Sequence, residues 1–213
     1  MTDAHTHVSC GEALVKEFLI GRDFVGVHPW DAGVFDEEKL RCALMGDEAL
    51  GVGEIGLDRL KDKNVSDVQR EVFARQLRIA YEFSRPVQLH GAKCWGQVVR
   101  QIKETRRDFS ARISFLFHGF SRSDGLIPEI ESLNGFISIG PQILNLHAVN
   151  YREMARKIPS RMLLVETDRT SSSGDDGGNV GIERVLSELA SLRGVTVAEL
   201  EKLTDENAAK FIG

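Results

Sequence analysis

Two histidines one residue apart, His5 and His7 in the run Asp3-Ala4-His5-Thr6-His7, carry more chemistry than any other pair in the chain. In an extended strand alternate side chains point the same way, so the two imidazoles converge. Neutral imidazole is the commonest protein metal ligand, and such a pair can hold one face of an ion. An HxH alone is equally at home on a surface strand, so its company decides. Further along, apolar runs end one after another in metal-competent residues: His28, Glu54, His90, His118 and, just past Thr167, Asp168. Each singly has a plain reading as a capping or hydrogen-bonded side chain; the series does not. The imidazoles of His5, His7, His90 and His118 with the carboxylates of Glu54 and Asp168 make a mixed N/O set suited to divalent Zn, Mn, Fe or Ni. Six ligands are too many for one catalytic ion that keeps an open position. Two ions sharing a bridging carboxylate can use them, and such pairs perform hydrolysis by clamping the attacking and leaving oxygens.

These residues need strands to aim them. Short, almost continuously apolar runs at Thr2–His7, Phe24–His28, Leu50–Glu54, Val87–His90, Ile113–His118, Phe136–Ile139 and Met162–Thr167 read as parallel strands covered on both faces. Helical patterns alternate with them. Ser66 and Gln69 have capping-box spacing before the stripe Val68, Val72, Phe73, Leu77, Ala80 and Phe83. Ile182, Val185, Leu186, Leu189 and Leu192 form a second stripe closed by Gly194, and Thr196 with Glu199 starts a further helix. Strand and helix in alternation give an α/β fold, a TIM-like (β/α) barrel over residues 1–213 as one domain, with its site at the C-terminal ends of the strands. Seven strands are counted. A crossover helix is placed at Glu12–Ile20, with a short strand at Val15–Ile20 as the alternative, so the expected barrel is distorted or abbreviated. The patch from Ser171 to Asn179 reads as a βα loop.

Composition narrows the partners. Apolar residues at 42% with 28% charged suit a soluble globular protein. A net charge of −5 excludes a protein that coats nucleic acid nonspecifically. It leaves room for an enzyme acting on nucleic acid, because bound cations can supply positive charge where phosphate sits. Cys10, Cys42 and Cys94 are sparse and unpaired in spacing, as in a reducing compartment. No basic-then-apolar leader and no run of 18 apolar residues is visible, so a cytoplasmic protein with no membrane contact is expected.

In order along the chain, Asp3-Ala4-His5-Thr6-His7, Gly26-Val27-His28-Pro29, Gly53-Glu54-Ile55-Gly56-Leu57-Asp58, Pro86-Val87-Gln88-Leu89-His90, His118-Gly119-Phe120-Ser121 and Glu166-Thr167-Asp168 resemble the motifs of the TatD-type metal-dependent deoxyribonucleases of the amidohydrolase superfamily. Asn179 and the stretch from Asn207 to Phe211 also fit. The resemblance implies a divalent-metal phosphodiesterase with nucleic acid as substrate and two divalent ions, Mg, Mn or Zn. It places one ion on His5, His7, Glu54 and Asp168, and the other on His90, His118 and the bridging Glu54. Glu54 and Asp168 would be the catalytic carboxylates, Asp168 orienting or deprotonating the attacking water.

The chain departs from the family pattern near the substrate. Only the segment between His7 and Phe24 stands where the family fits a further strand and helix. Lys93 stands where an arginine is usual, Arg122 where a glycine is common, and Arg169 where Ser-Pro normally follows. With His28, these three are candidate substrate contacts, although Arg169 could equally pair with a neighbouring carboxylate and Lys93 be a solvated helix-start residue. Trp30 and Trp95 follow strand-exit histidines and could stack on a base or pack in the core. Arg100, Lys103, Arg106 and Arg107 read as the solvated face of a helix. Other readings stay open: a deacylase or amidohydrolase acting on an ester or amide such as D-aminoacyl-tRNA, and a non-catalytic metal-binding relative. A shortened barrel could also use a second copy of the chain to cover its edge.

Overall fold

Eight parallel strands position the site. The computed structural model describes residues 1–60, 64–121, 124–171 and 181–213. Its strands are β1 (Thr2–Thr6), β2 (Lys16–Leu19), β3 (Phe24–Val25), β4 (Gly51–Asp58), β5 (Val87–Ala92), β6 (Phe115–Phe117), β7 (Gly135–Ile139) and β8 (Leu163–Val165). The helices are α1 (Glu37–Met45), α2 (Asp67–Glu82), α3 (Trp95–Arg106), α4 (Ile127–Ser132), α5 (Val149–Lys157), α6 (Ile182–Arg193) and α7 (Val197–Ile212). Strands β3 to β8 pair in chain order as one parallel sheet, and β1 pairs with β2. A parallel bridge from Ile20 to Phe24 links β2 to β3. On the other flank Asp168 N–H donates to His5 C=O at 3.0 Å, and His7 N–H to Arg169 C=O at 2.9 Å. These contacts carry the parallel order around a barrel-like ring. No helix among the described residues is long and apolar enough to cross a membrane.

The expected helix at Glu12–Ile20 is not there, and the alternative strand is: Lys16–Leu19 pairs with β1, which makes the count among the described residues eight instead of seven. Leu14, Val15, Phe18 and Leu19 have helical spacing, but β1 offers an open edge, and Lys16 and Glu17 pair with Thr2 and Asp3. Parallel neighbours usually need a crossover of a dozen or more residues. Here the segment 7–15 makes it without a helix, tied by Glu17, whose carboxylate accepts from Cys10 N–H at 2.7 Å and from the Ser9 hydroxyl.

Side chains alternate across the sheet as a barrel requires. Phe115, Phe117, Ile137, Leu163 and Val165 join the large cluster under the helices. Leu116, Phe136 and Leu164 join a smaller inner one with Ala4, Phe18 and Phe24. Phe211 of α7 completes that inner cluster, stacked on Phe24 at 5.6 Å. Asn207 of α7 donates to Ser160 C=O and Leu163 C=O, which fixes this helix beside the start of β8.

The helix signals hold with one change. α6 ends at Gly194 in the left-handed region (φ 67°), and the Thr196–Glu199 box has both arms. At α2 the Ser66 hydroxyl accepts from Gln69 N–H, but the Gln69 side chain turns away to take Asp58 N–H at 3.1 Å. The box is therefore half formed, and Gln69 steadies the end of β4 instead. β4 also runs past Glu54 to Asp58. Gly56 makes that possible: at φ 152° it lies where a Cβ would stand 2.0 Å from the His90 carbonyl oxygen.

Candidate metal centre

Glu54 stands at the middle of the C-terminal mouth of the ring, and its two oxygens face different histidines. Oε1 lies 2.6 Å from His90 Nδ1 and in short contact with His118 Nε2. Oε2 lies 3.6 Å from His7 Nε2 and 4.0 Å from His5 Nε2. Asp168 Oδ1 is 3.5 Å from His5 Nε2 and 3.6 Å from His7 Nε2. The six residues singled out in the sequence therefore meet in space. Among the described residues, metal-competent trios form from His5, Glu54 and His118, from His5, His7 and Asp168, and from His28, Glu54 and His90.

Each ligand candidate is held from behind. The Gln88 side chain accepts from His5 Nδ1 at 2.5 Å and donates to Ala4 C=O at 3.0 Å. A donor hydrogen on Nδ1 leaves the Nε2 lone pair aimed at the cluster. That Nε2 is buried and meets no hydrogen-bond partner. A buried, unpaired imidazole nitrogen amid carboxylates fits a divalent ion well. His90 Nε2 lies 2.8 Å from Asp58 Oδ2, the carboxylate–histidine arrangement that orients a ligand. His118 stacks on His5 at 3.8 Å. Asp3, in the opening motif, faces away from the cluster: its carboxylate takes Thr167 N–H and Oγ–H, locking β1 to the segment that carries Asp168. Burial pushes Asp3 up to about 6. Glu166 accepts from Gly119 N–H at 2.8 Å and from the Ser138 hydroxyl, fixing the turn after His118.

The charges are mutually tuned. Burial pushes the Glu54 carboxyl up, but the imidazoles of His118, His90 and His5 outweigh it and hold it well below its ordinary value. Burial pulls His118 down, yet Glu54 dominates and raises it to about 9. His28 behaves oppositely: burial and then His90 lower it to about 4, so it stays neutral. Its Nδ1 accepts from Trp30 N–H at 3.2 Å, which leaves the hydrogen on Nε2.

The cluster opens into a cleft of about 870 Å³, within the span of small-ligand sites. His7, His28, Glu54, His90, His118 and Asp168 line its floor. Of the other candidate substrate contacts, Lys93 is exposed and outside the lining, and Arg169 turns inward with Nη1 3.8 Å from Glu17. Arg122 and most of the loop from Ser171 to Asn179 lie outside the described residues. Trp95 is buried against Phe117 and Phe120, whereas Trp30 borders the cleft.

Two positioning residues, Asp58 and Gln88, were not among the candidates. Each sits on the same strand face as a ligand candidate, at 54 and 58 on β4 and at 88 and 90 on β5. Strand alternation extended past the ligand finds them.

Comparison with known proteins points one way. The family model of TatD related DNases matches residues 2–213. The uncharacterized metal-dependent hydrolase YabD of Bacillus subtilis is 28% identical over 206 residues, covering 93% of this chain and 80% of that protein. The 3'-5' ssDNA/RNA exonuclease TatD of Klebsiella pneumoniae is 27% identical over 203 residues, covering 88% and 75%. Among solved structures, the TatD homolog YjjV from Escherichia coli K12 superposes with a TM-score of 0.77 at 24% identity, over 94% of this chain and 78% of that one.

Proposed function

The chain belongs to the TatD related DNase family, and on that premise we propose that this metal-dependent hydrolase cleaves phosphodiester bonds of nucleic acid with two divalent ions. The observation that carries this reading is the divided carboxylate of Glu54, with Oε1 toward His90 and His118 and Oε2 toward His5 and His7. His5, His7, Asp168 and Glu54 would hold one ion, and His90, His118 and Glu54 the other. When bound, such ions neutralise the phosphate and lower the pKa of water.

The chain's own groups supply the rest. Burial raises the Asp168 carboxyl, but His5 and His118 more than offset it and keep the group ionised, able to take a proton from the attacking water. At 45% exposed it is also the ligand-set carboxylate that water reaches from the cleft. His28, neutral and carrying its hydrogen on Nε2, can donate to a phosphate oxygen.

The test is a turnover panel at matched metal: single-stranded DNA, RNA, a D-aminoacyl-tRNA and a simple phosphodiester, with wild type and Glu54→Ala. We expect hydrolysis of the phosphodiesters, and a loss in the variant larger than the roughly hundredfold that loss of an outer-shell partner costs. Cleavage of the aminoacyl ester alone overturns the assignment, and so does full activity in Glu54→Ala.

A further inference from the structure

The cleft beyond the metal cluster is a different kind of surface. Ile20, Val25, Val34, Leu40 and Ala43 line it with Trp30, so its outer half is largely apolar. Trp30 is 48% exposed and Val34 78%, unusual for large apolar groups flanking a catalytic mouth. Trp30 is nonetheless fixed. It stands edge-on to His28 at 4.9 Å, and its side chain donates a hydrogen bond to Asp58, the residue that orients His90. A rigid, half-exposed indole beside a phosphate site is a stacking platform.

The charges in the outer cleft do not suit a strand. Asp31, Asp36 and Lys39 are its ionisable lining residues there, two acids against one base. Channels that track a polynucleotide carry cations along the backbone path. Here Lys93 lies outside the lining and Arg169 turns to Glu17. Among the described residues, the ligand cluster is the one place in the cleft fitted for a phosphate, and the rest of the lining is mostly apolar with more acid than base.

We propose that this trough is a subsite for one planar, uncharged group, a nucleobase or comparable aryl ring. That ring is borne by the alcohol or phenol esterified to the phosphate held at the cluster, and Asp31 and Asp36 disfavour a second phosphate. The preferred substrate is then a small diester with a single nucleoside or aryl unit in the trough, not an extended strand. This inference rests on the phosphodiesterase reading.

The test compares two diesters that share an ethyl arm and differ in whether the other arm carries a base, thymidine 5′-(ethyl phosphate) and diethyl phosphate, on the metal-loaded enzyme. Base stacking corresponds to a preference for the thymidine ester of roughly five- to a hundredfold in kcat/KM. Trp30→Ala and Val34→Asp should each pull that ratio toward one. Equal turnover of both esters by the wild type overturns the subsite while leaving the hydrolase reading intact. A rate that climbs with oligonucleotide length and falls steeply with salt also overturns it. If neither ester is cleaved, the hydrolase reading fails, and binding then decides the subsite. Trp30 fluorescence, titrated with thymidine 5′-monophosphate in chelator, should quench saturably where inorganic phosphate does not. No quench overturns the subsite.

Discussion

Gln88 offers a sharp test of how the metal centre is built. The side chain is buried and makes two bonds, taking the His5 Nδ1 hydrogen at 2.5 Å and giving one to Ala4 C=O at 3.0 Å. Gln88→Leu keeps the bulk and removes both. The His5 N–H and the Ala4 carbonyl are then stranded in a fully buried place, at about 1–3 kcal/mol each, or roughly 2–6 kcal/mol together. For a chain of this length that corresponds to a Tm lower by roughly 4–24 °C. The imidazole is also free to move its hydrogen to Nε2, the nitrogen that faces Glu54 and Asp168. Loss of such an outer-shell partner weakens metal binding about 10- to 100-fold. Gln88→Glu separates the effects: it keeps an acceptor for His5 but removes the donor to Ala4. It should lose stability while holding metal more tightly than Gln88→Leu. Competitive titration against a chromophoric chelator reads affinity, and thermal melts in excess chelator read stability free of metal. A folded Gln88→Leu that binds metal as tightly as wild type would refute the role of His5 Nε2 as a ligand.

Metal analysis after reconstitution at neutral pH should find about two divalent ions per chain; one ion, or none, sinks the bridging role of Glu54. Phe211→Ala hollows the inner cluster where Phe18, Phe24 and Phe136 meet Phe211, and should destabilise by about 3–5 kcal/mol, a Tm drop of roughly 6–20 °C in calorimetry. Glu17 gives a pH dependence. Burial would raise it, but Ser9, Cys10 and Arg169 more than offset that, and its pKa lies below the usual 4.5. A depressed carboxyl contributes stability that is complete above about pH 4.5 and disappears as pH falls through the folded value. Amide exchange in the segment 7–19 should therefore accelerate in acid, and Glu17→Gln should flatten that dependence; an unchanged profile in the variant refutes the tie.

The clustering of the six candidate side chains was legible because the sequence alone shows metal-competent side chains at the ends of apolar runs, and parallel strands in a ring bring such ends together. Strand lengths were less so. Reading β4 to stop at its first charged residue cut it at Glu54, whereas the ring's polar mouth lets Glu54 and Asp58 both face inward on a strand that continues. β2 was legible only as the alternative, a short strand at Val15–Ile20, for a different reason. Leu14, Val15, Phe18 and Leu19 have the period of a helix, and only the open edge of β1 overrides it; Leu14 is consequently left 85% exposed. Arg169 shows the same limit. Its neighbours in sequence place it beside Asp168, and a carboxylate partner was one of its two readings, but which carboxylate depends on β2 bringing Glu17 to it.

The ring closes where its first and last strands meet. His5 and His7 come from one side of that seam and Asp168 from the other, joined by the backbone bonds of His5 and His7 to Asp168 and Arg169. The Met1 ammonium, 3.0 Å from Glu201 and 3.4 Å from Asp205, fastens the same seam from α7. A chain still emerging from the ribosome therefore owns no complete ligand set until Asp168 has been made. Because ions that bind only the closed form draw the equilibrium toward it, bound metal would fasten this seam from inside the mouth as Glu201 and Asp205 fasten it from outside.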